Sequence, residues 1–217
     1  AFTRSGASGV RTTNLAANIT TSNDAVTFAA GTGTLTFGAN STINAGTGTI
    51  TLRGTDLAGR DVVLQGNEID LLGGAASVIG TGAGNLTMLG ATNATTIGVG
   101  TNGTGTLIFD ATDIAALASE ATGLITFGSA SQTGQVTIGT ATFLDATQFL
   151  AGGIGGIVEL ASGEILTGND ATDSNLTLNG ATTRLGGTIR TAGRIVTVTS
   201  GSGTITLFGN SALNTTF

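Results

Sequence analysis

Several residue types that most chemistry in proteins relies on are missing from this sequence. Its 217 residues include no cysteine, proline, histidine, tryptophan or tyrosine, and all 7 basic residues are arginine. These absences exclude disulfides, zinc sites built from cysteine or histidine, Ser-His-Asp triads, thiol nucleophiles and lysine Schiff bases. Charged residues make up only 9% of the chain, against about 25% in ordinary soluble domains. We therefore predict a structural protein, not an enzyme, with no organic cofactor.

The few charges are unevenly distributed along the chain. The net charge is −6, and residues 61–173 hold eleven acids and no base. Residues 1–60 and 174–217 are net positive, by +2 and +3. No basic surface is available to displace counterions from phosphates, so a nucleic acid partner is excluded. If sequence order follows one axis, the molecule has an acidic middle between two mildly basic ends.

The sequence also lacks any long apolar run. No stretch approaches the roughly 18 residues of a membrane span, so we expect no insertion into a membrane. The first residue is alanine, which predicts a processed product or a fragment of a longer chain. With a single methionine, Met88, and no cysteine, the composition suits an extracellular or cell-surface location. An intracellular structural protein is the alternative.

What the sequence does contain is glycine, 37 residues of it, arranged in a loose internal repeat. Gly-Thr-Gly-Thr followed by alternating apolar residues and threonine occurs at residues 31–37, 46–52 and, with one change, 103–109. Alternation with period two places the apolar residues on one face of a strand and the threonines on the other. The paired apolar residues are Leu35 and Phe37, Ile50 and Leu52, Leu107 and Phe109, Val136 and Ile138, Leu176 and Leu178, and Ile205 and Leu207.

Short strands at this spacing predict an all-β fold, either a sandwich or a parallel β-solenoid. The short strands, the glycine-rich turns and the low aromatic content favour the solenoid, because a sandwich core needs larger side chains across a wide face. We expect one solenoid domain over residues 1–217, with coils of about 18 to 24 residues and hence roughly nine to eleven coils.

One segment departs from this alternation. In residues 110–121, Ile114 and Leu117 lie at helical spacing and Asp110 or Thr112 can cap the first turn, so a short helix is predicted on the flank of the rod. Residues 147–150 and 57–60 are predicted as weaker excursions of the same kind.

Residues 95–178 carry a recognisable series of motifs. They include Thr-Ile-Gly-Val-Gly, Gly-Thr-Gly-Thr-Leu, Asp-Ala-Thr-Asp-Ile-Ala-Ala-Leu and Leu-Ile-Thr-Phe-Gly. This series resembles the repeats of large bacterial surface exoproteins of the filamentous-haemagglutinin type, notably cyanobacterial ones. The resemblance implies a right-handed parallel β-helix, secretion, and an adhesive or scaffolding role, and it supplies no catalytic residues. The chain is short for such an exoprotein.

Carboxylates in predicted turns are the candidate site residues. Asp110, Asp113, Asp170 and Asp173 offer the oxygen ligands that calcium prefers, although the repeated Gly-Gly-x-Gly-x-Asp signature of calcium-loaded β-rolls is absent. The alternative is that they are ordinary turn and cap residues facing water. A glycosidase site is disfavoured because no tryptophan or tyrosine is available to stack on sugar rings. A surface polysaccharide remains a candidate partner.

The ends of the predicted rod are the remaining candidate sites. A solenoid's outer coils present unpaired strand edges and an open core unless a cap covers them, and no segment near either terminus has the pattern of a cap. Phe2 and Phe217 are predicted to lie at the two assembly ends. Ends facing opposite ways propagate into an open filament, so we predict a secreted subunit that self-associates head to tail into a homopolymer. A segment of a large adhesin passenger, and a calcium- or carbohydrate-binding module, are the alternatives.

Overall fold

The computed structural model describes residues 2–3, 12–28, 33–75, 77–79, 84–117, 123–170 and 172–215. These residues form one helix, α1 (Ala111–Ala116), and many short strands. The first strands in chain order are β1 (Phe2–Thr3), β2 (Thr13–Leu15), β3 (Ile19–Thr20), β4 (Val26–Phe28), β5 (Leu35–Phe37), β6 (Ser41–Asn44), β7 (Thr49–Leu52), β8 (Thr55–Asp56), β9 (Val62–Gly66), β10 (Glu68–Leu71), β11 (Val78–Ile79), β12 (Leu86–Gly90), β13 (Ile97–Val99) and β14 (Leu107–Phe109). After α1 come β15 (Ile125–Ser129), β16 (Val136–Ile138), β17 (Ala141–Phe143), β18 (Thr147–Ala151), β19 (Ile157–Leu160), β20 (Ile165–Gly168), β21 (Leu176–Gly180), β22 (Thr182–Leu185), β23 (Thr188–Thr191), β24 (Val196–Ser200), β25 (Ile205–Leu207) and β26 (Ala212–Thr215).

Successive strands wind around an axis and stack in parallel, so the predicted β-solenoid is confirmed. Face I is one eight-stranded sheet in the order β24-β21-β18-β15-β12-β9-β6-β3. Face II consists of β1-β4-β7-β10 and then β14-β13-β16-β19-β22-β25. Face III consists of β11-β8-β5-β2 and, beyond α1, β17-β20-β23-β26. Face I gives about eight coils and not nine to eleven, because two coils are longer than expected: Phe127 follows Met88 by 39 residues, and Leu178 follows Phe149 by 29.

The interior is built from columns of like residues. Leu64, Met88, Phe127, Phe149 and Leu178 occupy equivalent positions in five successive strands of face I, and all five are buried. The rings of Phe127 and Phe149 are stacked, with centroids 5.5 Å apart and an interplanar angle of 8°. Period-two alternation and parallel in-register pairing together produce this column, since each coil repeats the orientation of the previous one.

One coil departs from the pattern by carrying two strands on face II. After β13 the chain turns back at Gly100 and forms β14, which pairs in parallel with β13 and lies beside β10. The repeat copy at residues 103–109 therefore does form a strand, but inside an existing coil. The amide of Gly100 donates to the carbonyl of Phe109 at 2.8 Å, which closes this extra loop.

The predicted helix is also present, as α1 at Ala111–Ala116; residues 118–121 of the predicted range lie outside the described residues. It occupies the place of a face III strand between β11 and β17, so that face is two separate sheets. The two weaker helical predictions are wrong. Residues 147–150 lie in β18, because Thr147 and Phe149 point inward with period two, and residues 57–60 form a turn.

Candidate assembly interface at the C-terminal coil

The C-terminal coil, defined as β24, β25 and β26, continues the register of the coil before it. Val196 and Val198 follow Leu176 and Leu178 on face I. On face II, Ile205 and Leu207 follow Thr183 and Leu185, and on face III Leu213 follows Ile189. The interior columns of the solenoid therefore run into this coil unchanged.

Three of these inward-facing residues, Ile205, Leu207 and Leu213, are exposed in the C-terminal coil, and Val196 and Val198 are half-buried. Thr183 and Ile189 are 0% and 2% exposed, whereas their successors Ile205 and Leu213 are 49% and 60% exposed. Leu207 is 69% exposed. Large apolar side chains in this orientation are normally covered by a further coil. The last described coil thus presents an apolar surface made of core residues.

A recess opens into the core at this end. It has a volume of about 230 Å³, and most of its lining is apolar. The residues around it include Leu185, Ile189, Val198, Leu207 and Leu213. An apolar recess framed by exposed aliphatic residues is complementary to another apolar coil, since burying such surface contributes about 25 cal/mol per Å².

The backbone of this coil is also open. Within the described part of the chain, β24, β25 and β26 each end their sheet, one on each face. A terminal strand of a sheet presents backbone N–H and C=O groups that can pair with an incoming strand. The end therefore offers three parallel strand edges around an apolar centre.

Arginine side chains lie around the C-terminal coil. Arg184 contacts Glu159 on face II, with Nη1 and Oε2 3.4 Å apart. Arg194 donates from Nη1 to the carbonyl oxygen of Thr172 at 2.8 Å, and Arg190 lies on β23. The first two side chains are directed back along the rod and leave the apolar centre uncharged.

The N-terminal end offers the corresponding three edges. Among the described residues, β1, β2 and β3 end faces II, III and I at the side opposite to the C-terminal coil. Phe2, predicted as an assembly residue, lies in β1, where its backbone pairs with Val26. Phe217, the other predicted assembly residue, lies outside the described residues. The sequence does not mark the exposed aliphatic residues Ile205, Leu207 and Leu213 as assembly residues, because their alternation is the same as in buried copies of the repeat.

The predicted calcium ligands lie in two separate places. Asp110 caps α1, accepting from the amides of Thr112 at 2.7 Å and Asp113 at 3.2 Å. The Asp113 carboxylate in turn accepts from the amide of Asp110 at 3.0 Å, which completes a capping box. Asp170 and Asp173 lie in the turn between β20 and β21, where Asp170 accepts from the amide and hydroxyl of Thr172.

Asp113 makes one further contact that is important for the fold. Its Oδ1 accepts from the amide of Leu71 in β10 at 2.8 Å, so the carboxylate takes the place of a strand partner. The side chain is buried, and this burial raises its pKa to about 6. Burial also raises the pKa of the neighbouring Glu68, with additional repulsion from Asp70, Asp113 and Asp110. The structure thus brings together two carboxylate pairs that are far apart in sequence.

In the part of the chain that it describes, the structure does not gather either pair of predicted calcium ligands, Asp110 with Asp113 or Asp170 with Asp173, into a larger set of metal-binding side chains. In the described ranges, no group of three or more histidine, cysteine, aspartate or glutamate side chains is positioned to hold a metal ion. Calcium binding by Asp110, Asp113, Asp170 and Asp173 stays a prediction.

Among the residues described here, no helix has the length and apolar character needed to cross a membrane. Comparisons of the chain with protein-family models, curated proteins and solved structures found no match. The resemblance to haemagglutinin-type repeats stays a prediction.

Proposed function

We propose that this protein is a structural subunit of a secreted extracellular filament or sheath, which polymerises head to tail through the ends of its solenoid. The observation that supports this proposal is the C-terminal coil, where core residues such as Leu207 and Leu213 are 69% and 60% exposed. A second copy placed on this end continues all three faces: β3 follows β24, β1 follows β25 and β2 follows β26. Such a contact is heterologous and generates an open filament.

The same surface has a second explanation. In a segment of a long adhesin passenger, further coils of the same chain cover the exposed aliphatic residues. The two functions differ in whether the covering coil belongs to a second copy. If the gene continues the repeat beyond these residues, the adhesin is selected; filaments formed by the isolated chain select the subunit.

Electron microscopy of the purified chain over a range of concentrations tests the filament. The test variant is Leu207→Arg, which places a charge in the apolar end, and the matched control is Ile154→Arg. Ile154 is 96% exposed but lies in a turn on the side of the rod. We expect filaments from the natural chain and from Ile154→Arg, and short rods from Leu207→Arg. Only short rods from the natural chain at high concentration, or filaments unaffected by Leu207→Arg, contradict the proposal.

A further inference from the structure

The outer surface of face I differs from the other two faces in carrying no charge. The eight strands of this face, all within the described residues, contain no aspartate, glutamate or arginine. Face II carries Glu68, Asp70, Glu159 and Arg184 on its strands. Face III is interrupted by α1 and its carboxylates. Face I is therefore an uninterrupted and uncharged sheet surface on an acidic protein.

The outward side chains of face I form two straight rows. The first row contains Thr42, Val63, Thr87, Thr126, Gln148, Thr177 and Thr197, and the second contains Asn44, Gln65, Leu89, Gly128, Leu150, Asn179 and Thr199. The two β15 positions in these rows, Thr126 and Gly128, are buried, and the other members of the rows are half-buried or exposed. Within the second row the Asn44 amide donates to Gln65 Oε1 at 3.0 Å. Val63, Leu89 and Leu150 are partly exposed among these polar groups. Face I thus shares one property with the buried core of protein interfaces, where charged residues are depleted.

We propose that face I pairs two copies of this chain side by side. This inference goes beyond the proposed filament, because it uses a surface parallel to the axis and not the ends. Charge supports a second copy as the occupant: the chain has a net charge of −6, and pairing through face II would set carboxylates of two copies against each other. Face I lets two acidic molecules approach without burying a charge, whose desolvation would be costly.

The size of the face is adequate for a specific contact. Eight strands about 4.8 Å apart and about five residues of 3.3 Å each give a patch of roughly 34 by 17 Å, or about 600 Å² per copy. Two copies together then bury about 1,200 Å², the lower end of the range for stable interfaces. Two such sheets pack face to face at about 10 Å, and a two-fold axis between them makes the contact isologous.

Sedimentation velocity over a concentration series tests the pairing, in a chain that carries Leu207→Arg so that end-to-end contacts do not interfere. The test variant is Thr87→Arg, in the centre of face I, and the matched control is Thr51→Arg, an outward position on face II beside Asp70. We expect reversible dimers, weakened by about tenfold or more by Thr87→Arg and unchanged by Thr51→Arg. Unfolding temperatures show whether both variants are folded.

Cross-linking gives a second test that does not depend on a destabilising charge. The chain has no cysteine, so Thr177→Cys on face I and Thr51→Cys on face II each introduce a single thiol at a half-buried outward position. We expect a short thiol-reactive cross-linker to join Thr177→Cys chains into dimers much faster than Thr51→Cys chains. The proposal is overturned if the Leu207→Arg chain stays monomeric at high concentration, or if both thiols cross-link equally. Monomers whose face I binds a neutral glucan, with loss of binding in Thr87→Arg, overturn it too. None of these results depends on whether the filament forms.

Discussion

At the scale of single residues, Asp113 connects the helix to the solenoid. Its carboxylate accepts from the amide of Leu71 at 2.8 Å and from that of Asp110 at 3.0 Å, and the side chain is only 7% exposed. The two hydrogen bonds favour the charged form, but burial outweighs them and raises the pKa from 3.8 to about 6. The folded protein therefore favours the neutral form of the Asp113 carboxyl, and ionising it costs free energy.

This residue makes stability depend on pH in a direction that is unusual for an aspartate. Because its pKa in the folded state is higher than in the unfolded chain, its contribution is fully present below about pH 4 and is lost as the pH rises through about 6. A shift of about two units corresponds to about 3 kcal/mol. We expect urea unfolding between pH 4 and 7 to show the natural chain losing stability, relative to Asp113→Asn, by an amount of this order.

Glu164 provides a control, because its pKa is shifted in the opposite direction to that of Asp113. Hydrogen bonds from the Thr140 hydroxyl and the Asn102 amide lower its pKa. Its contribution is present at neutral pH and is lost as the pH falls through the folded-state pKa. Compared with Glu164→Gln, the natural chain should therefore lose stability toward acid. If the two substitutions change the pH profile in the same direction, the explanation for Asp113 is wrong.

At the scale of elements, sequence alternation predicted the regular strands well and the irregular coil only partly. Leu107 and Phe109 have the same alternation as Ile50 and Leu52, and both pairs do point into the core. Alternation reports only which side of a strand is buried. It does not report the neighbour, and so the pairing of β14 with β13 inside one coil was not predicted.

The helix was predictable because its signals are local. Asp110 at the cap and the spacing of Ile114 and Leu117 depend only on neighbouring residues. The contact of Asp113 with Leu71 joins residues 42 positions apart, so it cannot be predicted from the local pattern. The helical prediction at residues 147–150 is wrong because long-range pairing overrides the local pattern. Thr147 and Phe149 are held in a strand by pairing with neighbouring strands on both sides.

The turn that creates the extra strand depends on Gly100. Its φ is +80°, and a Cβ at this position would lie 2.4 Å from the carbonyl oxygen of Thr140. Gly155 has a φ of +79° but no atom within 4 Å of its would-be Cβ. Gly155→Ala should cost about 1 kcal/mol from backbone strain alone, and Gly100→Ala about 1–3 kcal/mol more because of the collision. Urea unfolding of both variants measures the difference; equal losses would mean that the close approach to Thr140 is unimportant.

At the scale of the whole molecule, sequence order is close to position along the axis. The acidic middle and the basic C-terminal end assigned from the sequence therefore carry over to the described part of the rod. Arg4 and Arg11, on which the basic N-terminal end depends, lie outside the described residues. The sequence predicts an open core at both ends, and the C-terminal coil does expose core residues, but the particular residues were not predictable. The residues Ile205 and Leu207 repeat the pattern of Leu107 and Phe109, and exposure depends on whether another coil follows, a property of the assembly and not of the local sequence.

The charge distribution predicts how side-by-side association responds to salt. If pairing occurs through face I, the contact buries no charge. Salt then acts only on the repulsion between the acidic middle segments of the two copies, residues 61–173, each of which contains eleven acids and no base. The screening length falls from about 30 Å at 0.01 M salt to about 8 Å at 0.15 M. We expect dimers of the Leu207→Arg chain to become several-fold more stable over this range, measured by sedimentation velocity. If the arginines near one end, such as Arg190, instead contacted the acidic middle of a neighbour, salt would screen an attraction and weaken the dimers. The sign of the salt effect therefore distinguishes pairing through face I from a staggered contact between unlike charges.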